Sequence, residues 1–207
     1  MSGVPGLDDP RQPKTFSFDD KNTSKAQAII AKYPEGRQAS AVLPLLDLAQ
    51  RQNGGWLPAA AIEYVAEMLR MPSIRVWEVA SFYTMFYLRP TGRYRVHVCT
   101  TTPCWLRGSD EITSTCERVL GLKFGQTSED GQFSLHEVEC AGACVNAPVV
   151  QINDDYYEDL TPETMERILD SLKRDEVPKA GSQSGRTHSA PAGGLTTLRD
   201  QGAAGGA

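Results

Sequence analysis

The sequence lacks several features that would direct it to nucleic acids or into a membrane. Asp and Glu (26 residues) outnumber Lys and Arg (21) in the 207-residue chain, and no basic stripe is present to neutralise phosphates. No apolar run approaches the ~20 residues of a membrane-spanning helix. The longest such run, over residues 79–88, is interrupted by Ser81 and Thr84. We therefore expect no nucleic-acid partner and no direct membrane insertion.

The N-terminus also lacks the pattern of a targeting signal. It has no apolar segment like that of a signal peptide, and the acidic residues Asp8 and Asp9 are unlike a transit peptide. We therefore expect the protein to remain in a reducing compartment. There, an odd number of cysteines, five, indicates metal ligands or free thiols rather than a disulfide framework.

Composition and periodicity divide the chain into four parts. Residues 1–18 are rich in Pro, Gly and Asp, and we predict a flexible N-terminal arm. Short helical patterns broken at Pro and Gly predict a small helical bundle over residues 19–90. Residues 91–176 alternate between strand and helix patterns. Residues 177–207 have almost no large apolar side chain, so we predict a disordered tail.

Residues 91–176 show the order strand, helix, strand, strand, helix. Residues 94–99 alternate like a strand, and a helix is predicted over residues 104–120. Asp130-Gly131 between two extended segments predicts a hairpin. This order is typical of a thioredoxin-like α/β sandwich. The predicted fold class is therefore α+β, with a helical bundle followed by a thioredoxin-like domain.

Four of the cysteines form two close pairs. Four residues separate Cys99 from Cys104, and three small residues separate Cys140 from Cys144. Small residues let backbone N–H groups approach an inorganic core, and residues 100–102, all Thr, can add hydroxyl donors. This pattern favours a [2Fe–2S] cluster. Structural zinc, which accepts pairs of this spacing, and a redox disulfide, which more often uses Cys-x-x-Cys, remain open alternatives.

The other chemistry-bearing residues have ordinary interpretations. Cys116 falls on the inward face of a predicted helix and is interpreted as a core thiol. His97 and His136 lie in predicted strands and His188 lies in the tail, and none is predicted to be a ligand. No Gly-rich phosphate loop follows a strand, so we expect no nucleotide site in this chain.

The last predicted helix of the bundle carries more aromatic residues than one helix face can bury. Core packing is the default interpretation of these side chains, and a surface that docks a partner is the alternative. The residues concerned are Trp77, Phe82, Tyr83, Phe86 and Tyr87.

Several runs of residues, taken together, resemble one known family. They are residues 79–86 (VASFYTMF), 98–104 (VCTTTPC), 107–109 (RGS) and 137–148 (EVECAGACVNAP). The resemblance extends from about Phe16 to Leu172. The family is the 24 kDa [2Fe–2S] subunit of respiratory complex I, NADH:quinone oxidoreductase, in its bacterial form.

The resemblance implies a function for the chain. It implies a thioredoxin-like ferredoxin domain with a [2Fe–2S] cluster on Cys99, Cys104, Cys140 and Cys144, and no complete active site in this chain alone. The cluster would exchange one electron with FMN on a larger flavoprotein, which also binds NADH and carries a [4Fe–4S] cluster. Other subunits of the peripheral arm would adjoin it, at the cytoplasmic side of a bacterial inner membrane. The alternatives are an equivalent subunit of an NAD-reducing hydrogenase or NAD-linked formate dehydrogenase, and a free-standing thioredoxin-like ferredoxin.

Two positions depart from the commonest pattern of this family. Ala141 stands where Leu is frequent, and Trp105 stands where Met is frequent. Neither is an expected ligand, so both concern the local packing of the cluster. Trp105, if it covers the cluster, and Glu139, beside a ligand, are each predicted to lower its reduction potential.

Overall fold

The chain forms two compact units, Met1–Thr91 and Gly92–Ala207. The computed structural model describes residues 9–191, 193–194 and 196–197. In that part of the chain, no helix has both the length and the apolar character needed to cross a membrane.

The first unit is a small helical bundle. Side chains from three of its helices, Leu45, Leu46, Ile62, Val65 and Val76, are completely or almost completely buried and form one apolar core. This burial explains the bundle, because helices of this length depend on tertiary packing for their stability. The helices are α1 (Asp20–Ile30), α2 (Val42–Gln52), α3 (Ala59–Leu69) and α4 (Ser73–Phe82), with a short 3₁₀ helix at Gln38–Ala41.

The N-terminal arm, predicted to be flexible, is packed where the structure describes it, over residues 9–18. Phe16 and Phe18 contact each other and Tyr64 of α3 edge to face, with ring centroids 5.4 to 5.7 Å apart. The prediction was wrong here because two aromatic anchors outweigh the Pro- and Gly-rich composition around them. The rest of the predicted arm, residues 1–8, lies outside the described residues.

The aromatic residues of α4 and the following turn are divided between core and surface. Phe86 is buried and Trp77 packs against the core. Phe82 is 77% exposed and Tyr83 41% exposed, and their rings contact each other with centroids 5.1 Å apart. Met85 is also half exposed. Core packing thus accounts for Phe86 and Trp77. Phe82, Tyr83 and Met85 form an exposed apolar patch.

The second unit is built on one mixed sheet. Its strands are β1 (Tyr94–Cys99), β2 (Gln126–Thr127), β3 (Phe133–Val138), β4 (Val150–Ile152), β5 (Asp155–Glu158) and β6 (Gly181–Ser182). In the described residues the strand order is β2-β3-β1-β4-β5-β6, with β1 and β3 parallel and the β2–β3 and β1–β4 pairs antiparallel. The predicted hairpin at Asp130-Gly131 is confirmed, since it connects β2 to β3.

Two helices pack against one face of this sheet and confirm the α+β class. They are α6 (Ser109–Leu120) and α7 (Pro162–Lys173), and Ile112 and Leu169 are buried with Val96 of β1. The helix predicted over residues 104–120 is interrupted. A short helix, α5 (Thr102–Leu106), precedes α6, and Gly108 between them has φ +93°. That left-handed backbone ends one helix and lets α6 begin in a new direction.

The segment after Glu176 was predicted to be disordered, and the structure corrects this for residues 177–191. β6 adds to the edge of the sheet by pairing in parallel with β5. Arg186 makes an ion pair with Asp159 at 3.2 Å. Because backbone pairing and polar contacts hold this segment, it needs no apolar stripe, and its sequence shows none. The remaining tail residues, apart from 193–194 and 196–197, lie outside the described part.

Candidate metal centre

The carboxyl ends of β1 and β3 bring four thiols to one edge of the sheet. Cys99 ends β1 and Cys104 lies in α5, and both side chains are buried. Cys140 and Cys144 lie in the loop after β3, are exposed, and have their Sγ atoms 3.4 Å apart. Because Cys99 pairs in register with Val138, the loop that follows β3 starts beside it.

The thiols are arranged as two adjacent pairs. Cys99 and Cys104 belong to one buried cluster, Cys140 and Cys144 have their Sγ atoms in contact, and Ala141 and Ala143 of the loop pack against the buried pair. Among the described residues, no three His, Cys, Asp or Glu side chains are grouped so as to hold a single metal ion. Two thiol pairs side by side suit the four thiolates that a two-iron cluster needs.

In the buried pair, desolvation and hydrogen bonding act in opposite directions. Burial acts to raise the pKa of Cys99, but hydrogen bonds from Thr101 and from the Ala141 N–H outweigh it, so the pKa lies below its usual value. For Cys104, burial raises the pKa to about 12, and the hydrogen bond with Cys99 adds to this rise. Cys99 is therefore the member of this pair that more readily becomes a thiolate.

A backbone amide and a hydroxyl polarise the exposed pair. The Gly142 N–H donates to Cys140 Sγ at 3.4 Å and is the main cause that lowers the pKa of Cys140. Hydrogen bonding to Cys140 raises the pKa of Cys144. The Thr101 hydroxyl lies 3.4 Å from Cys99 Sγ and also lowers the pKa of Cys140. Thr101 thus contacts Cys99 Sγ and lowers the pKa of one thiol in each pair.

Of the three threonines predicted to donate to the site, Thr101 is the one whose hydroxyl is placed against the sulfurs. The Thr100 hydroxyl donates instead to Glu137 Oε1 at 2.7 Å. Thr102 begins α5 and is exposed.

Residues 26–173 match the family model described as thioredoxin-like [2Fe-2S] ferredoxin. The chain belongs to the thioredoxin-like [2Fe-2S] ferredoxin family. A [2Fe–2S] cluster is therefore its cofactor, and the thioredoxin-like fold class predicted from the sequence is confirmed.

Curated relatives of this ferredoxin extend the comparison. A Rickettsia bellii protein, named as one of the subunits of NADH-quinone oxidoreductase, is 67% identical over 160 residues, which are 77% of this chain and 96% of the relative. A Dictyostelium discoideum protein named NADH dehydrogenase [ubiquinone] flavoprotein 2, mitochondrial, is 48% identical over 191 residues, 92% of this chain and 77% of the relative.

A solved structure shares the fold. The crystal structure of an NAD⁺-reducing [NiFe]-hydrogenase in the air-oxidized state matches 63% of this chain and 23% of the hydrogenase chain. The TM-score is 0.55 and the sequence identity is 22%. At this identity the likeness shows the fold alone.

The residues around the thiols fit the charge of the family's cluster. Four thiolates, two sulfides and two ferric irons sum to about −2, and one-electron reduction makes this about −3. The Gly142 N–H donates to Cys140 Sγ and the Thr101 hydroxyl lies 3.4 Å from Cys99 Sγ, while the backbone at Ala141 and Val149 acts to lower the pKa of Cys99 and of Cys104, respectively. Such donors stabilise negative charge on sulfur, which the ferredoxin needs in both oxidation states.

Gly142 is required in this loop by its backbone conformation. Its φ is +80°, a left-handed value that glycine adopts at little cost, and a Cβ at this position would meet no atom within 4 Å. Glycine is therefore needed for the backbone conformation that turns this N–H toward Cys140, and not because a side chain would lack space.

Two supporting residues were not predicted from the sequence. The Tyr156 hydroxyl donates to the Ala141 carbonyl at 2.8 Å, and Asn146 is a buried polar residue at the end of the Cys144 turn. Strand alternation offered a signal for Tyr156, because its neighbour Tyr157 belongs to the core and so directs Tyr156 to the other face. No local pattern marks Asn146, whose partners are distant in sequence.

The other residues considered in the sequence analysis, Cys116, the two strand histidines and Trp105, are not grouped with the four cysteines. Cys116 is fully buried in α6, where burial raises its pKa to about 12, which confirms the core thiol. Burial lowers the pKa of His97, to about 4, and also lowers the pKa of His136. The two imidazole rings contact each other with centroids 5.3 Å apart.

Trp105 is 56% exposed and donates from Nε1 to Asp110 at 3.2 Å, so it offers limited shielding of the cluster from water.

Proposed function

We propose that Cys99, Cys104, Cys140 and Cys144 hold the [2Fe–2S] cluster and that the chain acts as a one-electron carrier. The observation that carries this proposal is the convergence of the two thiol pairs. The Cys140 and Cys144 Sγ atoms lie 3.4 Å apart, and Ala141 and Ala143 of their loop pack against the buried cluster that contains Cys99 and Cys104. When bound, a cluster of this kind accepts and releases one electron. The protein holds it and directs N–H and O–H donors toward its sulfurs.

We infer further that the electron comes from a flavin on a partner protein. The 67% identity to the Rickettsia bellii component of NADH-quinone oxidoreductase, over 96% of its length, supports a place in the NADH-oxidising module of such a proton-pumping complex. A larger flavoprotein would bind FMN and NADH and carry a [4Fe–4S] cluster, with other peripheral-arm subunits adjoining. The chain would lie at the cytoplasmic side of the bacterial inner membrane.

Two alternatives have less support. An equivalent subunit of an NAD-reducing hydrogenase has a fold likeness at 22% identity behind it, against 67% for the Rickettsia bellii relative. A free-standing ferredoxin does not account for the helical unit, whose exposed patch of Phe82, Tyr83 and Met85 is apolar surface that a partner protein would cover.

The ligand assignment is tested by single substitutions. Replacing Cys99, Cys104, Cys140 or Cys144 with Ala should abolish normal assembly, measured as iron and acid-labile sulfide per chain. The matched control is Cys116→Ala, which removes a buried thiol remote from the site and should retain about two irons per chain. Two irons in any of the four ligand variants would remove that residue from the ligand set.

A separate experiment tests whether NADH oxidation belongs to the flavoprotein and electron acceptance to this chain. The purified, cluster-loaded chain should not oxidise NADH. After the flavoprotein is added, NADH should reduce the cluster, which EPR detects as a new paramagnetic signal. NADH oxidation by the chain alone, without added flavin, would contradict the proposal.

A further inference from the structure

The segment after α7 crosses the turn that carries Cys144. Cys144 begins a 3₁₀ turn, Cys144–Asn146, and the Arg186 guanidinium donates from Nη2 to the Val145 carbonyl at 3.1 Å. The same Nη2 donates to the Asn146 side-chain oxygen. Arg186 therefore binds two consecutive residues that directly follow Cys144.

Asn146 is the centre of this arrangement. It is only 4% exposed, and its Nδ2 donates to Glu158 Oε2 at 2.5 Å and to the His188 carbonyl at 2.8 Å. Its own N–H donates to the Ala143 carbonyl at 2.9 Å, and its carbonyl accepts from the Asp159 N–H at 2.7 Å. Every polar group of Asn146 is thus satisfied, partly by the C-terminal segment.

A partly buried ion pair anchors Arg186 on its other side. Arg186 Nε lies 3.2 Å from Asp159 Oδ2, and each side chain is 14% exposed. Asp159 also accepts from the Ser182 hydroxyl at 2.6 Å, so it ties Arg186 to β6. Arg186 Nε makes no hydrogen bond of good geometry, so its attraction to Asp159 is electrostatic, and loss of the Asp159 charge would leave a poorly solvated guanidinium at this depth.

We propose that Arg186 is a positioning residue for the cluster. It joins the Cys144–Asn146 turn to the end of β5 and thereby fixes the direction in which Cys144 presents its sulfur. This inference rests on the proposed ligand role of Cys144.

The physical basis is the difference between the two cysteine pairs. Cys99 and Cys104 are buried in a strand and a helix, whereas Cys140 and Cys144 lie exposed in a loop. A loop ligand needs external support to stay in one geometry, because supporting contacts orient the residues that hold a metal. Tyr156 supports Ala141 near one end of this loop, and Arg186 supports the other end.

Arg186→Gln in the full-length, cluster-loaded chain tests the proposal. We expect about two irons per chain, changed g values in the EPR spectrum of the reduced cluster, and iron release to a chelator about tenfold faster than in the wild type. The matched control is Arg118→Gln, which removes the same charge from an exposed ion pair with Glu166. The control should keep the wild-type spectrum and release rate.

A milder variant covers the case in which Arg186→Gln yields no folded protein. Asp159→Asn removes one partner of Arg186 and keeps a residue that tolerates the positive φ at this position, +52°. It should change the g values in the same direction, by less. If the spectra and release rates of both variants equal those of Arg118→Gln, the positioning role is wrong.

Cys144→Ala separates failure of this inference from failure of the proposed function. Two irons per chain in Cys144→Ala would overturn the ligand assignment and, with it, the role of Arg186. Loss of the cluster in Cys144→Ala, together with wild-type behaviour of Arg186→Gln, would overturn the positioning role alone.

Discussion

The rings of Phe18 and Tyr64 meet edge to face, with centroids 5.4 Å apart and planes 86° apart. Phe18 belongs to the N-terminal arm, and Tyr64 lies in α3. The contact attaches a segment of low apolar content to the helical core, and Phe18 is only 6% exposed as a result.

This contact predicts a large loss of stability in Phe18→Ala. Removing a buried Phe side chain should lower the free energy of unfolding by about 3 kcal/mol, measured by urea denaturation. The control is Phe82→Ala, which removes the same side chain from a position that is 77% exposed and should change stability by less than about 0.5 kcal/mol. Equal losses in the two variants would contradict the packed arm.

The arm and the tail show where composition misleads. The arm was predicted to be flexible from its Pro, Gly and Asp content, and the tail to be disordered from its shortage of large apolar residues. Two phenylalanines nevertheless pack the described part of the arm, and β6 pairing together with polar contacts such as that of Arg186 holds residues 177–191. Phe18 and Arg186 gain their partners, Tyr64 and Asp159, from distant parts of the chain. Local composition carries no information about such contacts.

The candidate site was easier to predict from the sequence than the arm and the tail, and the reason is physical. Strand periodicity placed Cys99 at the end of β1, and a parallel β1–β3 pair then brings the loop of Cys140 and Cys144 to the same edge. The break at Gly108 was missed because the apolar pattern continues across it. The support from Tyr156 was missed although strand alternation offered a signal for it, whereas the support from Asn146 could not be predicted, since its side-chain partners are distant in sequence.

Gly142→Ala should impair the site through the backbone. An alanine at φ +80° costs about 1–2 kcal/mol, and relief of this strain would turn the N–H away from Cys140. We expect lower iron content and faster iron release to a chelator. The control is Gly36→Ala, at φ +77° and likewise in open space, but in the helical unit. It should cost similar stability and leave the cluster's EPR spectrum unchanged.

Tyr156→Phe should change the cluster without unfolding the protein. The lost hydroxyl frees the Ala141 carbonyl, and the loop segment that packs at Ala141 against the cluster of Cys99 becomes less constrained. Stability should fall by about 1 kcal/mol. Tyr157→Phe removes a hydroxyl that donates to the Pro178 carbonyl at 3.2 Å and serves as the control. Only Tyr156→Phe should alter the g values, so matching spectra would refute the support.

Glu139→Gln should raise the reduction potential of the cluster. Glu139 directly precedes Cys140 and is exposed, and its carboxylate repels the electron that takes the cluster from about −2 to about −3. Solvent screens this repulsion, so we expect an increase of about 20–50 mV at low salt and a smaller one at high salt.

Glu129→Gln is the matched control for this substitution. Glu129 lies in the turn at the other end of β3, so the six-residue strand Phe133–Val138 separates it from Cys140. Such a strand is roughly 20 Å long, about twice the screening length at 0.1 M salt. The same change of charge there should leave the potential unchanged at moderate salt. An EPR-monitored redox titration of both variants decides the matter, and equal shifts would mean that net charge, and not the carboxylate beside Cys140, sets the potential.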